Sequence, residues 1–401
     1  MKFTERILIK QNDERIESLT NSCKNSKNLY NKVLYILRQN YFNELPFITY
    51  NKMDKILREQ NDADFYALPS GTAQQVLKEV YKNWSSSWTK IKKYNKNPKI
   101  YNGRPRLPSY LNKDGLHQAS FTYTQIHVDE NGIIKFPKIT GIKEIKTRLE
   151  NLIYLQIIPK ANSFVINIIY NKTINDLNLN KNNFISIDLG LNNIATQINN
   201  VGKSPFIISG KDLKNYNQGY NRIIGKLQSD LPKNQFSSER IRNINSRRYW
   251  YIQDKMHKIS RYLINFCTDN NIGTIIIGYN KEIKTNINLG KKNNQNFVNI
   301  PFESLIEKIK YKAELQGIDL IMQEESYTSK CDALSLESIE KHEIYSGKRI
   351  KRGLFSSGSG KLINADINGA INIARNALGD KILGPLIQSG GIGYVPHRIN
   401  I

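Results

Sequence analysis

The spacing of apolar residues changes along this chain, and each change marks an element. Residues 1–11 alternate as a strand. Over 13–43, Leu19, Cys23, Leu29, Tyr30, Val33, Leu34 and Leu37 recur at helical spacing, and 49–60 reads as a second, shorter helix. LPSGTAQQV opens a third, with Ser70 or Thr72 able to cap it and Ala73, Val76, Leu77, Val80, Trp84 and Trp88 on one face. The basic stretch KIKKYNKNPKIYNGRPRLPSY then brings three prolines and a glycine, which no continuous helix tolerates. From 118 to 180 the pattern falls to period two in ASFTYTQIHV, GIIKFP, LIYLQIIPK and SFVINIIYN, short strands that suggest a small β-barrel interrupted by the helical segment. KTINDLNLNKNN reads as a linker.

The second half is organised around FISIDLGLNNIAT, residues 184–196. Phe184, Ile185, Ser186 and Ile187 run as a strand into Asp188; Leu189-Gly190-Leu191 turns the chain, and a second apolar run starts at Ile194. Strands at 193–198 and 205–209 follow, then a long helical region over 211–270, strand TIIIGY, helix PFESLIEKIKYKAELQG, strand IDLIMQEE (318–325), a polar insertion (326–362) and the helix INADINGAINIARNAL. Three sequential strands followed by alternating helices and strands is the order of an RNase H-like fold, with an antiparallel meander and later strands added in parallel through helices. The expected organisation is therefore an N-terminal region (1–180) with a β-barrel built from about 1–11 and 118–175 around a helical insert (about 12–110). A nuclease-like α/β core at 181–325 and 363–401 follows, interrupted by 326–362.

Charge narrows the class. A net charge of +24 over 401 residues exceeds what solubility needs and points to a polyanion. The cations interleave with Tyr and Trp, as nucleic-acid surfaces do: Arg104 and Arg106 in the proline-bearing segment, Arg247 and Arg248 in the 211–270 helical region. Cys23, Cys267 and Cys331 lie far apart with no CxxC pair, so a disulfide framework and a zinc site from local cysteine pairs are both unexpected, which suits a reducing cytoplasm. The N-terminus MKFTERILIKQ reads as a charged strand, not a signal peptide, and no run of about 18 apolar residues predicts a membrane span.

The candidate chemistry lies in carboxylates. Asp188 ends the first core strand, and Asp366 falls in the first turn of the last helix, which Asn364 can cap and whose small Gly369 and Ala370 let it pack close to the sheet. Phosphodiester hydrolysis by two Mg²⁺ ions about 3.5–4 Å apart needs bridging carboxylates. The strand beside the first ends in Gly278-Tyr279 without one. The next ends in Glu324-Glu325; neighbouring strands lie about 4.8 Å apart, so one of the two can reach the same metals. Glu325, nearer the end, is preferred over Glu324.

These stretches resemble the insertion-sequence OrfB/TnpB proteins, RNA-guided DNA endonucleases related to compact type V CRISPR effectors. The resemblance rests on IDLGLNNIAT (187–196), IIIGYNK (275–281), the segment from NLGKKNNQNF to AELQGI (288–318), EESYTSKCD (324–332), SGKRIKRGLF (346–355) and NADINGAINIAR (364–375), with looser similarity in NLYNKVLYILRQNYF and LPSGTAQQVLK. It implies a RuvC-type core with Asp188 and Asp366 catalytic, an N-terminal wedge-like β-barrel with an inserted helical recognition domain, a guide RNA and a double-stranded DNA target. Two departures stand out. Members usually carry the second acid where this chain has Gly278, so this chain resembles a subset with that Glu moved to the EESYTSK strand. Members also carry two CxxC pairs around a zinc ion, where here only Cys331 remains, which implies a metal-free target-binding module. In and beside that module Lys330, Lys348, Arg349, Lys351 and Arg352 are candidates for nucleic-acid contact. The expected activity is Mg²⁺-dependent, transposon-associated, RNA-guided DNA cleavage in a prokaryotic cytoplasm. The alternatives are a cleavage-inactive guide-binding regulator and an unguided transposase.

Overall fold

The computed structural model describes residues 2–149, 151–160, 163–174, 176–279, 300–351, 353–388 and 396–401. The chain divides into two compact units, Met1–Thr173 and Ile174–Ile401.

The first unit starts with strand β1 (Lys2–Ile9) and helices α1 (Ile16–Phe42), α2 (Tyr50–Glu59), α3 (Ala63–Tyr66) and α4 (Ser70–Lys96). Most of the apolar positions read from the sequence form one helical core, in which Leu29, Leu34, Leu37, Met53, Leu77 and Trp84 are all buried, whereas Leu19 and Cys23 at the start of α1 pack into the core of the strands. One local expectation fails. Helix α4 is preceded by Pro69, and neither Ser70 nor Thr72 caps it. Thr72 is buried, its hydroxyl accepting from Gln125 Nε2 at 3.3 Å, so its oxygen serves tertiary packing instead. The helix ends before Pro98, as the ring requires. Six short strands follow: β2 (Ala119–Thr122), β3 (His127–Val128), β4 (Ile133–Lys135), β5 (Ile145–Lys146), β6 (Leu152–Lys160) and β7 (Ser163–Asn171). They form two antiparallel sheets, β1-β7-β6-β2 and β3-β4-β5. Among the described residues no strand pairing closes either into a barrel.

The second unit is built on one mixed sheet. Its strands are β8 (Phe184–Asp188), β9 (Asn193–Asn199), β10 (Phe206–Ser209), β11 (Thr274–Gly278) and β12 (Asp319–Gln323), with helices α5 (Lys211–Ser229), α6 (Glu239–Asp269) and α7 (Phe302–Leu315) between them. A small sheet of β13 (Lys348–Lys351), β14 (Leu354–Ser356) and β15 (Leu362–Asn364) leads into helix α8 (Ala365–Leu378), and strand β16 (His397–Ile399) lies near the C-terminus. The large sheet runs β12-β11-β8-β9-β10-β16. β8, β9 and β10 form an antiparallel meander; β11 joins β8, and β12 joins β11, in parallel.

Both faces of this sheet are covered, so its central strands are apolar almost throughout. Ile185, Ile187, Ile275 and Ile277 pack with Met256, Ile259, Leu263 and Leu305 on the α6–α7 side. Phe184, Ile198 and Ile276 pack with Ile367, Ala370, Ile371 and Ala374 of α8 on the other. This parity aims every second residue of β8 at α8, and Asp188 belongs to that set. β12 is shorter than its apolar pattern suggests and stops at Gln323, so Glu324 and Glu325 lie just beyond its tip. The segment read as a polar insertion contains the β13–β14–β15 sheet and is tied down by α8. Asn368 and Asn372 donate to the Cys331 carbonyl at 2.8 and 2.7 Å, and Arg375 donates to Glu337 O at 3.0 Å.

Candidate metal centre

Local chemistry fixes each acidic side chain. Ser186, fully buried in β8, donates its hydroxyl to Ala370 O of α8 at 2.7 Å, which draws the helix onto the strand two residues before Asp188. Approach is close because position 369 is glycine: a Cβ there would stand 2.9 Å from Asp188 Oδ2. Asp366 lies in the first turn of α8, where Asn364 Oδ1 caps the helix by accepting from Asp366 N (2.9 Å) and Ile367 N (3.3 Å). Glu325, beyond β12, reaches across to the tip of β11. A Cβ at Gly278 would stand 2.9 Å from Glu325 Oε2 and 2.4 Å from Ile373 Cδ1, so the missing side chain of 278 is what admits the carboxylate of 325.

Asp188 and Asp366 line one pocket of about 660 Å³ with Thr196, Arg349, Lys211 and Lys214. Burial pushes the Asp188 carboxyl well above the ordinary range; the neighbouring Asp366 and Glu325 charges add to this, while Arg349 opposes it. Burial also raises Glu325, with Glu324 beside it, to about 7. Glu324 itself is exposed and its Oε1 accepts from Ser326 N at 3.2 Å. No donor hydrogen-bonds the Asp188 carboxylate among the described residues. On β9 opposite Asp188, the Thr196 hydroxyl is buried without a partner.

An all-oxygen donor set, a carboxylate left without protein donors and glycine cradles at 278 and 369 fit a hard divalent cation such as Mg²⁺. Asp188, Asp366 and Glu325 are the residues able to hold it. Among the described residues no three acidic, histidine or cysteine side chains are gathered closely enough to enclose an ion. Asp366 is turned to other partners: Asn193 Nδ2 donates to its Oδ2, and the Arg349 guanidinium lies 3.7 Å from its Oδ1.

The other candidate residues separate. Arg104 and Arg106 are exposed in the first unit; Arg247, Lys330, Lys348 and Lys351 are exposed in the second. Arg248 is not a free surface cation: its Nε donates to Asn217 Oδ1 at 2.7 Å, and its guanidinium lies 4.7 Å from the Tyr220 ring centroid, so it braces α5 on α6. Arg352 lies outside the described residues. Sequence reasoning missed Asn193, Lys211, Lys214 and Arg398 at the pocket; only their neighbourhood to the Asp188 turn, for Asn193, was a signal. It also missed Asp332. This fully buried acid accepts from the Ser335 hydroxyl, the Ser357 hydroxyl and Gly358 N, each at 2.7 Å, and from Leu334 N at 3.0 Å. It thereby ties 332–335 to 357–358. Burial raises its pKa, but these donors outweigh burial and hold it below the ordinary aspartate value.

A mixed α/β sheet clothed on both faces, with two aspartates in a cation-rimmed pocket at the end of its first strand, defines the class of this second unit. Two family models match the chain, mostly within this unit: OrfB_IS605, described as a probable transposase, over residues 168–284, and the Cas12f1-like TNB domain over residues 302–373. These two stretches of the chain are thus similar to a probable-transposase family and to a Cas12f1-like domain. Asp188 falls in the first match, and Glu325 and Asp366 in the second. Over 135 residues, 33% of this chain, it is 36% identical to the CRISPR-associated endodeoxyribonuclease Cas12f1 of Sulfoacidibacillus thermotolerans, and the match takes in 28% of that protein's length. Solved structures similar to the chain include a Cas12f1–sgRNA–target DNA complex (13% identity, TM-score 0.38, 94% of this chain and 100% of that one). Another is the mini-RNA-guided endonuclease CRISPR-Cas_phi3 (10% identity, TM-score 0.48, 99% and 93%).

Proposed function

We propose that this chain is an RNA-guided DNA endonuclease that cleaves phosphodiester bonds with divalent cations held by Asp188, Asp366 and Glu325. The observation that carries the reading is the meeting of Asp188 and Asp366 in one pocket, from segments matched by two different family models. The strand order supports an RNase H-like core for the second unit. In the first unit, Phe121, Leu155 and Ile166 share a core with Ile134 and Ile145 of the smaller sheet, which supports a wedge-like barrel domain. The net charge of +24 supports a nucleic-acid partner, and the names of the relatives support a guide RNA and a DNA target.

Mg²⁺, when bound, supplies an activated water and offsets charge on the leaving 3′ oxygen. The protein's own contribution is positional. Ser186 and the Asn364 cap fix the backbones of Asp188 and Asp366, and Gly278 and Gly369 keep the space beside the acids clear of side chains. Glu325, which burial raises to about 7, would have to release its proton to hold a cation. Lys211, Lys214 and Arg398 rim the pocket with positive charge where a phosphate backbone would pass.

The test is plasmid cleavage by the protein purified with its native RNA, after sequencing that RNA to choose the target. Wild type cuts in Mg²⁺ and stops on RNase treatment. Asp188→Ala and Asp366→Ala each lose at least about 1000-fold while still binding target DNA. Cleavage that survives either substitution removes the site assignment; cleavage that survives RNase removes the guide.

A further inference from the structure

Four cations line the pocket beside its two partly buried aspartates, and one of them is in an unusual position. Arg349 comes from the small β13–β14–β15 sheet, an element that contributes nothing to the large sheet's ladder. Its guanidinium Nη2 lies 3.7 Å from Asp366 Oδ1, and its positive charge acts on Asp188 as well. Two of the other cations at the pocket have other attachments. Lys214 Nζ donates to Asn192 Oδ1 at 3.1 Å, and Arg398 Nη1 donates to Asn193 Oδ1 at 3.4 Å. Among the described residues no other cation is ion-paired with Asp188, Glu325 or Asp366.

We propose that Arg349 is the resident counter-ion of this acidic pocket: it is held on Asp366 where a divalent cation's charge would act, and it is displaced when one binds. This rests on the nuclease reading of the site. Three observations carry it. Asp366 is engaged on both oxygens, by Arg349 on one and Asn193 on the other, which explains why the acids are not gathered around a common point. The Arg349 side chain is 53% exposed, so nothing packs it permanently in place and its release costs little. Its strand belongs to the segment that Asn368, Asn372 and Arg375 anchor to α8, the helix that carries Asp366, so the cation and its acid stay within reach of each other. A cation entering such a pocket competes with a tethered positive charge, and removing that charge strengthens binding.

The experiment is Mn²⁺ titration of the full chain freed of nucleic acid, with free Mn²⁺ counted by electron paramagnetic resonance. Arg349→Gln binds Mn²⁺ about tenfold more tightly than wild type, and Arg349→Lys, which keeps the charge, returns close to wild type. Arg398→Gln removes the same charge from the same pocket without touching Asp366 and changes affinity by no more than about twofold. If Arg349→Gln binds no more tightly than Arg398→Gln, the counter-ion role is wrong. Asp188→Asn and Asp366→Asn separate this from the nuclease reading. If both weaken Mn²⁺ binding and Arg349→Gln leaves it unchanged, only the counter-ion role falls. If neither weakens it, the cation site is elsewhere and both readings fall.

Discussion

Asp188 and Asp332 are acids of the same unit, both surrounded by protein, and their surroundings differ in every respect. Asp332 accepts hydrogen bonds from two serine hydroxyls and from backbone N–H groups, and its pKa is held low. Asp188 has no protein donor among the described residues, feels the negative charge of Asp366 and Glu325, and its pKa is driven up. Burying a charge is costly unless it is paired. The fold meets that cost at Asp332 with donors from both ends of the 332–358 segment, and leaves it unmet at Asp188. A buried carboxylate with its donors supplied is a structural tie; one denied them is available to an external cation. Arg349 marks the boundary between the two conditions, a partner that is present but loosely held.

The contrast breaks most readily at the third acid. Glu325→Gln should reduce cleavage by at least about 100-fold, whereas Glu324→Gln, exposed and bonded to its own turn, should stay within about twofold. Comparable losses in both would mean that position 325 has no special access through Gly278. Next in size is stability at the other acid. Asp332→Asn should destabilise the second unit by about 2–4 kcal/mol in urea unfolding, since the amide offers a donor to groups that are themselves donors. The sign of its pH dependence sharpens the comparison. A carboxylate with a lowered folded pKa contributes stability above the ordinary aspartate value and loses it as pH falls through the folded one. The stability gap between wild type and Asp332→Asn should therefore narrow between pH 6 and pH 3. A gap that widens on acidification would contradict the hydrogen-bonded carboxylate described for Asp332.

What could be read from the sequence was what local signals specify. The run into Asp188 ends in a glycine-bearing turn, and Asn364 two residues before Asp366 is a cap signal; the structure has a strand end and a capped helix at these places. The choice between Glu324 and Glu325 depended on where β12 stops, and strand ends answer to pairing across the sheet rather than to local residues. Thr72 carried a proper cap signal and was drawn instead into a tertiary bond with Gln125. Arg248 looked like its neighbour Arg247, and only the packing of α5 on α6 distinguishes a brace from a free cation. The pairing of Arg349 with Asp366, and of Asp332 with Ser357, joins residues whose separation along the chain leaves no periodicity to detect. β16 is three residues long, too short for alternation to reveal.

The most direct test is the position of the cation itself. Anomalous scattering from crystals of the full chain soaked in Mn²⁺ should show a peak within about 2.5 Å of a carboxylate oxygen of both Asp188 and Asp366, with Arg349 turned away from Asp366. A Mn²⁺ peak elsewhere with these two aspartates left bare would contradict the metal-centre account.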